Sequence, residues 1–327
     1  MISGMFMLAA GLLSAQESPI RFFRILATNQ ITITGFTDGV MTWDGQSAGA
    51  AVTVEVSENL TESNGWRRYT EVPGDESRGA LKVFDRNMPD GMVLIPGGIN
   101  SGTDPDYGFY SLKISTFYMD RTEVTKAKWD SVYNWAVANG YSFDNAGSGK
   151  AADHPVHTVN WYDCLKWCNA RSEMEGRTPC YSLSDWSCNF SANGYRLPTN
   201  AEWEYAARGG LIGMRFSWGD TIQHTQANYY SSSSYSYDIS LTRDYHPLYD
   251  IDPFPYTSPA GSFSANGYGL YDMVGNVWEW CNDTAVSFRR IRGGAWDSDA
   301  DFARCGNSVW VGPEEIYDNQ GFRSVCR

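Results

Sequence analysis

A chain of 327 residues, 42% hydrophobic and 19% charged, has the balance of a globular protein with one large domain or two smaller ones, which excludes a disordered chain. A net charge of −13 argues against nucleic acid as a partner, because affinity for phosphate backbones comes from clustered Lys and Arg. Aromatic residues at 15%, beside 32 Gly, point to a loop-rich fold pinned by large flat side chains rather than a helical bundle.

The chain opens with an apolar run, Met5 to Leu13, followed by the small pair Ser14-Ala15. This reads as a signal peptide over residues 1–16, although no Lys or Arg precedes the run, and it predicts an exported protein: periplasmic, cell-surface or secreted. The run is too short to span a bilayer, which takes roughly 20 residues. Nothing later in the chain is a spanning candidate, so an integral membrane protein is not expected.

Residues 17–84 read as a small β-rich unit, with alternating runs such as ITITGF, GVMTWD and AAVTVEVSENL separated by Gly, Asp and Asn. Within it, GQSAG (45–49) matches a nucleophile-elbow pattern, but a strand-like AVTVEV follows where a helix is needed, so Ser47 is read as a hairpin-loop serine. Residues 85–327 read as a second unit that opens with the turn Pro89-Asp90-Gly91 and the buried strand MVLI. A first helix is expected from just after Thr122 to Gly140, with Val124, Trp129, Val132 and Trp135 available for its apolar face. A second is expected through WYDCLKWCNARSEME, with Trp161, Leu165 and Cys168 in one stripe. Thr199 followed by Glu202 predicts a capping box opening a third.

Seven cysteines, Cys164, Cys168, Cys180, Cys188, Cys281, Cys305 and Cys326, cannot all pair within one chain. Cys164 and Cys168 share a helix face, but no CxxC or histidine pair at zinc-finger spacing follows, so they are read as structural thiols or disulfides. His154 and His157 in HPVH are read as turn or core residues rather than metal ligands.

Several motifs occur in one order: MVLIPGG, EVT, HPVHTVNWYDCLKWC, NGYRLPTNAEWEYAARGG, GLYDMVGNVWEW, RGGAW and the closing GFR. Together they resemble the formylglycine-generating enzyme, or sulfatase-modifying factor, family over about Asp85 to Arg327. The resemblance implies an α+β fold, irregular and akin to C-type lectins, preceded here by the small β unit. It also implies structural calcium. One ion would be held by Asn228, the Tyr229 carbonyl, Asp252 and Phe254, and a second by Asp272, the Gly275 and Val277 carbonyls, and Glu279. Mixed carboxylate, amide and carbonyl oxygens suit that hard cation.

The family's chemistry carries over differently. Its enzymes hold copper through two cysteines after RGGS and oxidise a substrate cysteine to formylglycine, and soft thiolates are the ligands Cu(I) selects. Here the serine of that motif is Ala295, the first cysteine position falls at Ser298 and the second near Ala300 to Ala303, so copper is not expected and no catalytic residue is assigned. The resemblance also allows a Cys168–Cys326 disulfide. Two readings follow: a binding module for a protein, peptide or glycan, or a formylglycine-generating oxidase with divergent ligands. The cysteine-free loop favours the first. The expected binding surface comprises Asp297, Ser298, Asp299, Asp301, Phe302, Asn307, Trp310, Tyr317, Asp318 and Asn319, a mixture of acidic, amide and aromatic groups typical of adaptable recognition.

Overall fold

The computed structural model describes residues 2–6, 21–27, 31–45, 49–59, 65–74, 78–85 and 87–327. Ser47 and most of the expected signal segment lie outside these residues.

The N-terminal strands are β1 (Ile2–Phe6), β2 (Phe22–Ala27), β3 (Thr32–Thr37), β4 (Val40–Asp44), β5 (Val52–Ser57), β6 (Arg67–Val72) and β7 (Arg78–Lys82). β2 buries every second side chain, as the alternating sequence requires of a sheet with one covered face. Asp38-Gly39 turns β3 into β4 with both residues at positive φ, 49° and 76°, the backbone that suits a tight hairpin. Four further strands follow: β8 (Met92–Ile95), β9 (Gly98–Asp104), β10 (Gly108–Ile114) and β11 (Phe117–Asp120).

The sequence break near residue 84 is not a break in packing. One sheet runs in the order β1-β2-β5-β6-β9-β10, joined across that point by Glu71 opposite Ile99. Phe23, Ile25, Trp43 and Val54 share a core with Trp203, Tyr205 and Met273 from the C-terminal part. The Thr70 and Tyr205 hydroxyls hydrogen bond at 2.8 Å, and the Tyr268 hydroxyl donates to the Tyr69 carbonyl at 2.8 Å.

Three helices follow: α1 (Lys126–Ala138), α2 (Trp161–Met174) and α3 (Asn200–Arg208). The first starts later than the sequence suggested, because the side chain capping it is Thr125, which accepts from the Lys128 amide; Val124 precedes the helix, and Trp135 is only half-buried. Trp129 of α1 stacks on Trp167 of α2 with centroids 6.0 Å apart. The Thr199–Glu202 capping box of α3 is present in full.

The C-terminal strands β12 (Trp278–Ala285), β13 (Phe288–Arg292), β14 (Val309–Val311) and β15 (Gln320–Gly321) form a second sheet, ordered β14-β13-β12-β15. β16 (Val325–Cys326) returns to pair with β11. All seven cysteines are free, so the Cys168–Cys326 bond that the resemblance allows is not formed; Cys326 Sγ instead lies 3.7 Å from Met92 Sδ. Much of the remaining chain is loop, an irregular α+β fold. Among the described residues, no helix is long and apolar enough to cross a membrane.

Candidate functional site

The sheet β14-β13-β12-β15 and the loop after Trp296 border an open cleft of about 660 Å³. Ile291, Val309 and Val311 form an aliphatic wall. Alternation along β14 turns Val309 and Val311 toward the cleft and Trp310 away from it, and the Arg290 guanidinium lies 4.1 Å from the Trp310 ring centroid. Trp278 meets Phe302 edge to face with centroids 5.9 Å apart, and Tyr230 meets Tyr245 the same way at 5.1 Å. The parallel pairing of β12 with β15 sets Gln320 opposite Trp278. Gln320 is 2% exposed, lines the cleft, and has its Oε1 buried with no hydrogen-bond partner.

Of the expected binding surface, Asp297, Ser298, Asp299, Phe302, Tyr317 and Asn319 line this cleft. The other four do not. Asp301 pairs with Arg304 and accepts the Tyr237 hydroxyl at 3.4 Å; Asn307 is buried, donating to the Tyr107 hydroxyl at 2.8 Å. Asp318 is exposed outside the cleft, and Trp310 lies on the far face of its strand. Sequence reasoning missed Tyr230, Tyr245, Trp278, Ile291, Val309, Val311 and Gln320, and only the Val-Trp-Val alternation carried a usable signal.

Among the described residues, no Lys, Arg or His lines the cleft. Asp297 accepts from Asn319 Nδ2 through both oxygens, each at 3.0 Å. Although accessible, it is ringed by protein, and that desolvation pushes its carboxyl up, against the Asn319 hydrogen bond and with some help from the Asp318 charge. Burial likewise raises the Asp299 carboxyl, and the charge on Asp301 adds to it. Among the described residues, neither acid is in an ion pair, whereas Glu279, Glu204 and Asp104 in the interior are each paired with arginine.

The positions expected to supply thiolates hold none. Ser298 is 8% exposed and Ala303 is 1% exposed, the latter packed with Phe216 and Ala300. The cysteine nearest in sequence, Cys305, is fully enclosed near the Ser217 hydroxyl, and burial pushes its thiol up to about 11. His154 and His157 engage different partners, Thr257 at 2.9 Å and Thr158 at 2.8 Å, and burial lowers His157 to about 4.

The residues expected to hold calcium lie outside the cleft lining. Asn228 is buried, donates to the Tyr256 carbonyl at 2.8 Å and leaves Oδ1 without a partner. The Tyr229 carbonyl lies 3.2 Å from His224 Nε2. Asp252 and Phe254 are exposed, and Asp252 accepts the Tyr256 hydroxyl at 2.9 Å. Glu279 is held by Arg323 through two bonds of 2.7 Å and by Trp203 Nε1 at 2.7 Å. Asp272 accepts the Gly261 amide at 2.5 Å and leaves Oδ1 buried and unpartnered. Gly275 stands at φ 80°, where a Cβ would lie 2.1 Å from the Asn228 carbonyl oxygen, so only glycine lets these two segments meet. Val277 is fully buried.

Glu123 was missed by the sequence reading, since a lone acid between β11 and the cap of α1 carries no pattern. It is 1% exposed and both its carboxylate oxygens lack a partner. Burial pushes its carboxyl well up and the neighbouring Asp272 charge pushes it further, against the pull of the Arg323 charge; burial also raises Asp272, to about 6, against Arg323 and a hydrogen bond from the Glu123 carboxyl once protonated. Among the described residues, no three His, Cys, Asp or Glu side chains converge at metal-ligand spacing, so a cation here would draw on amide and carbonyl oxygens as well.

The sulfatase-modifying factor enzyme 1-like domain matches residues 77–327. The chain belongs to the sulfatase-modifying factor family. The match begins ahead of residue 85, the boundary read from the sequence. A chaperone protein, LppX of Paenibacillus barcinonensis, is 32% identical over 262 residues, 73% of this chain and 90% of its own. The formylglycine-generating enzyme of Streptomyces coelicolor is 32% identical over 237 residues, 64% of this chain and 72% of its own. Among solved structures, Treponema denticola variable protein 1 superposes with a TM-score of 0.54 at 25% identity, covering 72% of this chain and 94% of that one. As a sulfatase-modifying factor family domain, the chain has the irregular lectin-like α+β fold.

Proposed function

We propose that this family member is a binding module whose cleft receives a ligand without oxidising it. The observation that carries this reading is a cleft of about 660 Å³ with Ser298 in its wall and no cysteine in its lining. A copper-thiolate oxidase needs an accessible thiolate pair, and the nearby Cys305 is enclosed with its proton held tightly. The likeness to a protein named as a chaperone is consistent with a polypeptide ligand. The apolar run Met5–Leu13 followed by Ser14-Ala15 supports export.

The test is direct. The protein is incubated with Cu(I), oxygen and a Cys-x-Pro-x-Arg peptide, and the peptide is followed by mass spectrometry. Recovery of unmodified thiol is expected; formation of the aldehyde would overturn the reading.

We also propose that the interior holds calcium beside Glu123 and Asp272. Their three unpartnered oxygens support this, since buried carboxylates without hydrogen bonds are costly unless a cation compensates them. Glu123 and Asp272 would supply carboxylate ligands at this site. The ion would clamp the 259–276 loop against the segment that leads into α1.

A further inference from the structure

We infer that the cleft binds a neutral saccharide, a run of sugar rings laid against its aromatic wall. This inference rests on the binding reading above and names the class of ligand.

The first ground is the set of polar groups. Asp297, Ser298, Asp299, Asn319 and Gln320 line the cleft, and among the described residues no basic side chain joins them. Carboxylates without a basic neighbour repel phosphorylated, sulfated and uronic-acid ligands, and they favour a ligand that brings hydroxyl donors. Asp297 accepts from Asn319 Nδ2 through each oxygen at 3.0 Å, so an acid and an amide stand side by side. A carboxylate has about four lone-pair sites and an amide oxygen two, so acceptors remain on both groups after that contact. Hydroxyls on neighbouring carbons of a sugar fit such a pair, one donating to the carboxylate and the next to the amide oxygen. Gln320 adds a buried acceptor at the cleft wall, its Oε1, to which no described residue donates.

The second ground is the walls. Tyr230, Tyr245, Trp278, Phe302 and Tyr317 line the same space, and the Tyr317 ring is half-exposed. The flat face of a sugar ring is a patch of C–H groups, whose positive hydrogens pack against the negative face of an aromatic ring. Its rim carries the hydroxyls. A ligand with C–H faces and a hydroxyl rim therefore uses both halves of the lining, whereas an apolar ligand would cover Asp297 and Asp299 without bonding them, at a cost in desolvation.

The third ground is size. At about 660 Å³ the cleft lies within the roughly 300–1,000 Å³ of small-ligand sites, and it is open rather than enclosed. A single sugar ring leaves much of that space unfilled. A run of rings fills it, reaching from the aromatic side to the aliphatic wall of Ile291, Val309 and Val311, and the rest of the chain leaves through the open side.

The experiment uses the full chain and an array of tetrasaccharides of glucose, mannose and galactose, each printed beside its monosaccharide and the matching uronic-acid tetramer, with a panel of fifteen-residue peptides on the same slide. Wild type is expected to capture at least one neutral tetrasaccharide roughly tenfold over its uronic-acid counterpart. Tyr317→Ala and Asp297→Ala should each lose that capture while still melting cooperatively, and Asp297→Asn, which keeps an acceptor oxygen, should retain part of it. Phe109→Ala removes an exposed ring of β10 that does not line the cleft and should capture as wild type does, which separates cleft binding from adhesion to any exposed aromatic. Equal capture of neutral and uronic-acid tetramers, capture that survives both alanine variants, or no saccharide captured overturns the inference. Peptides captured in place of saccharides, and lost with Tyr317→Ala, overturn it too while leaving the binding reading in place. Aldehyde formation in the copper assay would remove the binding reading itself.

Discussion

Two sets of acids in this molecule are treated in opposite ways. Around Arg323, Arg171, Arg208 and Arg292, carboxylates are buried with their oxygens saturated; Asp120 alone receives two bonds from Arg171, at 2.9 and 3.1 Å, one from Lys128 at 2.7 Å, and the Ser324 amide at 2.9 Å. At Glu123 and Asp272 the buried Arg323, already bound to Glu279, acts only through its charge, and at Asp297 and Asp299 no ion pair forms among the described residues. The first set fastens loops that have little regular structure of their own. The second is the expected form of positions that a bound ion or ligand completes.

Breaking the first set should be expensive. Arg323→Met leaves Glu279 charged and enclosed with only Trp203 to bond, and should destabilise the protein by about 3–5 kcal/mol in urea unfolding. Asp120→Asn should cost somewhat less, about 3 kcal/mol, because Arg171 keeps Glu175 at 3.0 Å. Burial works to raise the Asp120 carboxyl, but the Arg171 and Lys128 charges prevail and hold it well below the usual range. A lowered folded value contributes stability that is present above the unfolded value of about 3.9 and is lost as pH falls through the folded one. Unfolding curves of wild type should therefore lose this share below about pH 4, and Asp120→Asn should show less of that decline.

The helix caps sharpen the comparison at a smaller scale. Glu202 is doubly held, by Arg196 at 2.6 and 2.7 Å and by the capping box, so Thr199→Ala should cost only about 1 kcal/mol. Smallest of all is the cleft. Asp297→Asn/Asp299→Asn, without ligand, should change unfolding free energy by under about 0.5 kcal/mol, because no ion pair is lost.

How far the sequence foretold this follows the distance over which each feature is built. The Thr199–Glu202 box spans three residues and was legible as a pattern. The start of α1 was misplaced because Thr122 and Thr125 are both acceptable caps, and only the Val124 hydrogen bonds to Phe322 and Val156 decide between them. The motifs identified the family and hence the fold. The arginine partners were not legible: Arg323 and Glu279 lie 44 positions apart, and Arg171 and Asp120 lie 51 apart. The cleft was half legible, since its rim loop is contiguous while Tyr230, Tyr245 and Trp278 arrive from separate stretches. Trp310 lies outside the cleft because alternation along β14 turns it to the opposite face from Val309 and Val311.

The claim that the unpartnered interior acids await an external cation is tested most directly at Glu123. Urea unfolding of wild type and Glu123→Gln is measured twice, with calcium and with excess chelator. With calcium the variant should be less stable than wild type, since a ligand is lost; with chelator the difference should shrink to little, because burial already holds the Glu123 carboxyl protonated and the amide replaces a neutral group. That calcium-dependent gap is the predicted result. A variant destabilised equally in both conditions, with calcium leaving wild type unmoved, would contradict the account.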